Sequence, residues 1–290
     1  MRKLLSILYL PFMLSGLILF SLSCSNQKLP LSVMSYNIRY DSPNDGENSW
    51  PLRKNFAINM ILYYEIDIIG KQEVTHRQLN DFLDALPQYA YVGVSRDDGK
   101  TNGEFSPVFY RKDKFELIDG NTFWLSEDPA AVGLKGWDAA FPRVVTWAIL
   151  KDIKTGKKFA FFNTHFDHVG QTARVESAKL LVSKMDEIAG NLPVIISGDF
   201  NASPDSEPVA IITNKKRSNY LVDTRSIAPV NYGPDWTFHN FGRTIPEERR
   251  IIDFIFVNQN VTVESHAIIS EKLNDLYLSD HNPILVKVSL

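Results

Sequence analysis

Cysteine is nearly missing from this chain of 290 residues: the only one is Cys24. A single cysteine excludes an internal disulfide framework. Positive charge is in short supply as well. Lys and Arg number 31 against 34 Asp and Glu, for a formal net charge of −3. That balance argues against broad electrostatic affinity for nucleic acid, while a local basic cleft remains compatible with it. Low-complexity linkers and internal repeats are absent from Leu31 to Leu290, so one domain is expected there. The apolar run from Leu4 to Phe20 is interrupted by Ser6, Pro11, Ser15 and Gly16. It falls short of the roughly 20 apolar residues of a membrane span.

That run follows a basic start, Arg2-Lys3, and reads as a secretory signal. Ser21-Leu22-Ser23-Cys24 resembles the lipobox of bacterial lipoproteins, although the usual Leu stands one place too close to the Cys. The expectation is a signal peptide over residues 1–23, lipidation of Cys24, a tether over 24–30 and a single domain over 31–290. The protein would then be exported and held at the bacterial cell envelope, on a periplasmic or outer-membrane face, through its lipid alone. Without Arg2 and Lys3 the mature chain carries 29 basic and 34 acidic residues, near −5.

What is present is a strongly apolar chain, 44% hydrophobic and 12% aromatic, which supplies a large core. Leu31–Asn37, Ile66–Gly70, Tyr89–Val94, Ser106–Tyr110, Arg143–Leu150, Lys158–Asn163, Pro193–Ser197, Ile251–Val257, Thr262–Ile268 and Ile284–Val288 read as strands. Ser49 with Pro51 opens a helix whose apolar positions are Leu52, Phe56, Met60 and Tyr63. Thr75 and Gln78 form a capping box for a second helix. A third starts near Thr172, and Ser203-Pro204 opens another. Two packed sheets with helices on their outer faces accommodate this order.

Six short motifs put Asn, Asp, Glu or His at the ends of the apolar runs. They are Ser35-Tyr36-Asn37-Ile38-Arg39, Lys71-Gln72-Glu73-Val74, Asn163-Thr164-His165, Gly198-Asp199-Phe200-Asn201, Ile251-Ile252-Asp253 and Ser279-Asp280-His281-Asn282. Acids gathered in one place repel unless a cation holds them together. Asn37 and Glu73 offer hard oxygen ligands of the kind Mg²⁺ takes. Asp199 can orient and deprotonate a water, and Asn201, two residues on and on the same side of an extended segment, can hold that water or a phosphate. Asp253, a lone charge among apolar neighbours, can hold His281 in its charged form against developing negative charge. Tyr110 and Arg111 can aim a phenol and a cation at phosphate. Each motif taken alone also fits an ordinary turn or strand end.

Two rival metal chemistries fit less well. A di-zinc site of the metallo-β-lactamase type wants His-x-His-x-Asp-His, and Asn163 stands where its first His belongs. A calcineurin-like phosphoesterase wants Asp-x-His early and Gly-Asn-His-Glu later, and neither occurs.

In its ordered motifs the chain resembles the endonuclease/exonuclease/phosphatase superfamily, which includes abasic-site endonucleases, DNase I, neutral sphingomyelinases, inositol-polyphosphate 5-phosphatases and deadenylases. The resemblance runs from Leu31 to Leu290. It implies a DNase I-like four-layer α/β sandwich: two packed mixed sheets flanked by helices. It also implies Asn37, Glu73 and Asp280 as ligands of Mg²⁺, with Mn²⁺ as an alternative. Asp199 would activate water, Asn201 would position it, His281 with Asp253 would stabilise the transition state, and His165 and Tyr110 would contact phosphate. Lys71 and Ile251 depart from the usual pattern. Gly136-Trp137-Asp138 and Pro142-Arg143 resemble an exported bacterial subgroup, and Arg143 joins Arg111 as a substrate-binding candidate.

The expected activity is metal-dependent hydrolysis of a phosphate mono- or diester by in-line attack of water. The negative charge favours a small phosphoester over nucleic acid, and a monomer is expected. A nuclease using the same site, or a surface binding module without turnover, are the other readings.

Overall fold

The computed structural model describes residues 28–290. The expected signal peptide, Cys24 and most of the tether lie outside the described residues. Two sheets face each other. The first comprises β1 (Pro30–Asn37), β2 (Ile68–Gln72), β3 (Tyr89–Val92), β4 (Val108–Arg111), β10 (Asn231–Tyr232), β12 (Thr262–Ile268) and β15 (Ile284–Ser289). Its strand order is β10-β12-β15-β1-β2-β4-β3. The second comprises β5 (Phe115–Trp124), β6 (Val144–Asp152), β7 (Lys158–His165), β8 (Val194–Asp199), β9 (Leu221–Asp223) and β11 (Asp253–Asn258), ordered β5-β6-β7-β8-β11-β9. A small hairpin pairs β13 (Lys272–Leu273) with β14 (Leu276–Tyr277). Helices α1 (Trp50–Tyr63) and α2 (His76–Ala85) accompany the first sheet. α3 (Gln171–Ala189) and α4 (Glu207–Ile212) accompany the second, and the short α5 (Thr224–Ile227) follows β9. No described helix is long and apolar enough to cross a membrane.

Alternation along the strands sorts the apolar residues into three cores, and so into four layers. Val33, Ile68, Val108, Phe161 and Ile195 meet between the sheets. Met34, Tyr36, Ile69 and Phe109 pack outward onto α1 and α2. Phe162, Val194, Ile196 and Phe254 pack outward onto α3 and α4. Strands covered on both faces read as continuous apolar runs, which is why they were visible in the sequence. The four-layer sandwich of two mixed sheets flanked by helices is present.

Several local expectations are corrected. The strand expected to reach Val94 ends at Val92, because Gly93 takes φ 135°. The helix expected at Ser203-Pro204 starts at Glu207, behind Ser206 and with Pro208 in its first turn. Ser203 to Ser206 is instead a turn closed by the Ser206 N–H on the Ser203 carbonyl at 3.0 Å. The long edge strand β5 was not expected: its middle is solvated and kinked by a bulge between Leu117 and Asp119, so it lacks an apolar rhythm. On α1 the expected stripe holds at Met60, which is buried, and at Phe56, which packs against the core, but its ends Leu52 and Tyr63 are exposed. The buried face carries Trp50, Ala57, Ile58 and Ile61, and it includes the charged Arg53. Thr75 and Gln78 do form the expected capping box.

Arg53 explains that displaced face. It is fully buried, and its guanidinium donates to the carbonyls of Asn48 (2.5 Å), Ile38 (2.9 Å) and Leu278 (2.8 Å). The Tyr36 hydroxyl donates to the same Leu278 carbonyl at 2.9 Å. These bonds fasten the end of β1 to the loop that carries Asp280.

Candidate active site

Strand ends converge at one edge of the sandwich. β1 and β2 run parallel, so Asn37 and Glu73 leave the first sheet side by side. β7 and β8 run parallel in the second sheet and bring His165 level with Asp199. β11 runs antiparallel to β8 and sets Asp253 directly opposite Asp199. The sheets touch just behind this edge. Gln72 donates to the Asn163 side-chain oxygen at 2.6 Å, and Ser197 donates to the same oxygen at 3.0 Å. The Asn163 amide donates to the carbonyls of Lys71 (2.7 Å) and Pro107 (3.1 Å). Gly70 permits this approach, since a Cβ there would overlap Ser197 Oγ and the Asn163 amide.

The side chains from both sheets then form one buried network. Asn37 Nδ2 donates to Glu73 Oε1 and to Asp199 Oδ2, both at 3.0 Å. His281 Nδ1 is 2.8 Å from Asp253 Oδ2, while its Nε2 lies 3.8 Å from Asp199 Oδ2. His165 Nε2 lies 3.6 Å from Asp199 Oδ2 and 3.1 Å from Asn201 Nδ2. The Asn201 amide also donates to the Phe166 carbonyl at 3.0 Å. Arg39, Glu73 and Asn201 hold left-handed backbone at φ 58°, 60° and 45°. Such conformations cost of order 1–3 kcal/mol each in non-glycine residues, and at functional sites the surrounding fold enforces them.

The electrostatics divide the site sharply. Burial opposes charge on His281, but the Asp253 carboxylate and its hydrogen bond outweigh burial and hold the imidazolium far above its usual range. His165 is driven well below its usual range by burial and then by Arg143, so it is neutral. Burial pushes the Glu73 carboxyl up, but His281 and the Asn37 and Tyr40 N–H donors more than reverse this. Asp199 is pushed up to about 7 by burial and then by Asp253. Asp280 is also raised, by burial first.

These shifts test whether a cation fits. Three buried carboxylates, Asp199, Asp253 and Asp280, and the half-buried Glu73 face the positive charges of Arg39 and His281. Arg39 lies 3.8 Å from Asp280 and 4.0 Å from Glu73, and it also bonds Asp45 at 3.1 Å. Arg39 is shared with Asp45 as well, so carboxylates outnumber these cations, and burial first, then a neighbouring carboxylate, raises Asp199 and Asp280. Glu73, His165 and Asp199 each bring a donor atom within 4.8 Å of the others. Two carboxylate oxygens and one imidazole nitrogen in this set fit a divalent cation, and Asp280 lines the same cleft. Asn37 turns its amide nitrogen to the carboxylates and its oxygen to the Arg39 N–H (3.0 Å). To act as a ligand its amide must turn over.

The network forms one end of a cleft of about 650 Å³. Asp199, Asn201, His165, His281, Glu73, Asp280 and Arg143 all line it, and Asn37 and Asp253 sit directly behind. Tyr110 and Arg111 do not. β4 runs antiparallel to β2, away from Glu73, so Tyr110 lies in the core between the sheets and Arg111 pairs with Asp113 at 2.6 Å at the far end. Their expected phosphate contacts are withdrawn. Lys71, the departure before Gln72, points to the other face of β2. There it lies 3.6 Å from the ring centre of Phe109 and 4.2 Å from that of Phe82.

The cleft has a second wall, of which sequence reading named only Arg143. Arg96 and Glu104 flank a loop and pair twice, at 2.8 and 3.0 Å. Asp98 braces the loop by accepting from Ser95 Oγ and the Lys100 and Asn102 N–H groups. Trp124 Nε1 donates to the Arg96 carbonyl at 2.7 Å. Phe141 stacks on His168 with ring centres 5.9 Å apart. Arg143 contacts Asp167 (3.3 Å) and His168 Nδ1 (3.0 Å). Phe238 also lines the cleft, with its ring 5.0 Å from His281. Arg39 was legible as a neighbour of Asn37, whereas Arg96 and Glu104 sit in a polar turn that carries no chemical pattern.

The Endonuclease/Exonuclease/phosphatase family pattern matches residues 34–281. An endonuclease/exonuclease/phosphatase from Bacteroides vulgatus is 46% identical, covers 90% of this chain and 99% of its own, and superposes with a TM-score of 0.87. The mannosyl-6-phosphatase of Bacteroides thetaiotaomicron is 39% identical, covers 89% and 99%, and superposes at 0.82. Nocturnin of Mus musculus is 27% identical over 63% of this chain and 46% of its own length. Alignments with the first curated relatives span 35–48% of their length. The chain belongs to the Endonuclease/Exonuclease/phosphatase family, whose members hydrolyse phosphate esters.

Proposed function

We propose that the protein is a Mg²⁺-dependent phosphomonoesterase acting on a sugar phosphate, with Mn²⁺ as an alternative metal and a phosphodiester as the second substrate class. The observation that carries it is the buried network joining Asn37, Glu73 and His281 at the edge of the first sheet to Asp199 and Asp253 of the second. The 39% identity to a protein named as a mannosyl-6-phosphatase supports a small sugar phosphate. Enzymes of the family use divalent metals, and the excess of carboxylates supports that here.

Glu73 and Asp280 would hold the ion, with Asn37 after its amide turns. When bound, the ion polarises a phosphoryl oxygen and offsets charge on it. Asp199 takes a proton from a water as that water attacks phosphorus in line. Asn201 holds the water, and neutral His165 beside it contacts the phosphate. The His281 imidazolium, kept charged by Asp253, donates a hydrogen bond to a phosphoryl oxygen as negative charge grows there. The phosphorus–oxygen bond to the sugar breaks, the leaving alkoxide takes a proton from solvent water and Asp199 returns its proton to solvent, so that alcohol and phosphate are released.

The test is hydrolysis of nitrophenyl phosphomonoesters and diesters and of hexose phosphates, with Mg²⁺ and with EDTA. Turnover that needs Mg²⁺ and is lost in Asp199→Ala and His281→Ala supports the reading. Metal-independent turnover, or activity indifferent to both substitutions, would overturn it.

Export and lipidation remain part of the proposal, supported by the Arg2-Lys3 start, the apolar run and the setting of Cys24. Labelled palmitate should enter the full chain, and a Cys24→Ser chain should take up none and leave the membrane fraction. Equal labelling of the two would remove Cys24 as the anchor.

A further inference from the structure

We propose that the second wall of the cleft, built by Arg96, Glu104, Phe141 and Arg143, is a subsite for a neutral polyol ring of the leaving group, and that it does not receive a second anion. The inference rests on the phosphoester-hydrolase reading and adds where, and by what chemistry, the leaving group is recognised.

Charge comes first. Each cation on this wall already has an anion. Glu104 binds Arg96 through both oxygens, and Asp167 lies 3.3 Å from Arg143 Nε. Asp167 stays ionised, because although burial pushes its carboxyl up, N–H groups of Gly170, Val169 and Ala140 and the Arg143 charge bring it down to about 2. Burial, then Glu73, raises the Glu104 carboxyl against the pull of Arg96 and Arg143, and with both guanidinium groups already paired the wall offers little to a second phosphate or carboxylate.

Hydrogen-bonding capacity comes second. Arg143 is buried, and among the described residues its Nη1 has no hydrogen-bond partner. Arg96 Nε is likewise without a hydrogen bond, its nearest carboxylate oxygen being Asp97 Oδ1 at 3.6 Å. Each Glu104 oxygen keeps a free lone pair beyond its bond to Arg96. Donors beside acceptors are what a hydroxyl group, which both donates and accepts, can satisfy on adjacent ring carbons. An anion accepts only.

The apolar component comes third. Phe141 is 46% exposed and presents its ring beside both guanidinium groups, 4.9 Å from Arg96 and 5.9 Å from Arg143. An exposed aromatic face next to unfilled polar donors suits the C–H face of a pyranose, which is apolar on its faces and polar at its rim. Arg96, Glu104, Phe141 and Arg143 line the same cleft as His165 and Asp199, so a ring bound here stays next to the catalytic end.

The experiment is calorimetric binding to full-length protein carrying Asp199→Asn to stop turnover, with Mg²⁺ present. The probes are mannose 6-phosphate, a hexose 1,6-bisphosphate and inorganic phosphate. The preference for mannose 6-phosphate over inorganic phosphate should fall about tenfold in Glu104→Gln and in Phe141→Ala, the worth of one good hydrogen bond or aromatic contact. Phe141 is a rim residue, so its substitution tests the subsite without opening the core. A preference that changes less than about threefold in both variants overturns the proposal, and so does a bisphosphate that binds about tenfold tighter than the monophosphate. Failure of the wild-type protein to hydrolyse any phosphoester would remove the hydrolase reading, and the binding preference would still report on the subsite.

Discussion

The two walls of the cleft are made differently. One is a row of strand ends, Asn37, Glu73, His165, Asp199 and Asp253, pinned by the sheet-to-sheet contacts of Gln72, Asn163 and Ser197. The other is a set of connections, the 97–103 loop and the approach to β6, braced by Asp98, Trp124 and Asp167. The first is rigid because its residues end buried strands, and it carries excess negative charge for a cation. The second is electrically balanced and leaves polar atoms unfilled. Chemistry is placed on the scaffold and selectivity on the loops, a division that lets one fold serve many substrates.

That contrast breaks most readily at Asp199. Asp199→Ala should lower kcat/KM about 10³-fold or more, the scale of a lost general base, read on a phosphomonoester with Mg²⁺. A loss no larger than that of Phe141→Ala would erase the distinction between the walls. Asp253→Asn should cost about 10- to 100-fold, the usual weight of a group that holds a functional imidazole. It should also move the pH profile in a defined direction. The Asp253 carboxylate raises the His281 pKa, so removing it lowers that pKa. Activity requiring the imidazolium is then lost at a lower pH than in the wild type. An alkaline limb that stays in place would mean His281 does not act as a cation.

Gly70→Ala probes the contact behind the catalytic wall. The new Cβ must displace Ser197 or Asn163, so stability should fall by about 1–3 kcal/mol, read by thermal or urea unfolding. An unchanged midpoint would mean the sheets are not pressed together there. The smallest effect on activity is expected at Lys71, which faces away from both walls. Burial holds its amine well below its usual range against the pull of two ring faces. The unfolded chain therefore binds a proton that the folded chain does not, and wild-type stability should rise as pH climbs toward 10.5. Lys71→Met should be more stable at neutral pH, lose that slope and keep its activity. A melting temperature with the same pH slope in both proteins would contradict the assignment.

These walls also differed in how far the sequence disclosed them. The catalytic wall was legible because its residues end apolar runs in an order that matches one fold. Tyr110 and Arg111 misled for the same reason: they too follow an apolar strand, but β4 runs the other way and delivers them to the opposite end. Strand direction is decided by pairing, which a single sequence does not reveal. Arg53 belongs to the same class, since its burial depends on carbonyl groups brought from Asn48, Ile38 and Leu278. Arg96 and Glu104 were invisible because their role arises from a loop folding back across the cleft mouth. Lys71 looked like a departure near the site, and strand alternation turns it to the helices instead.

The central claim is that Glu73 and Asp280, at the edge of the first sheet and facing Asp199 of the second, hold one divalent ion. Equilibrium binding of Mn²⁺ to the metal-stripped protein, followed by paramagnetic resonance, tests it directly. The account predicts one ion per chain, displaced by Mg²⁺ and weakened by Glu73→Gln. Binding that is absent, or that is indifferent to Glu73→Gln, would contradict it.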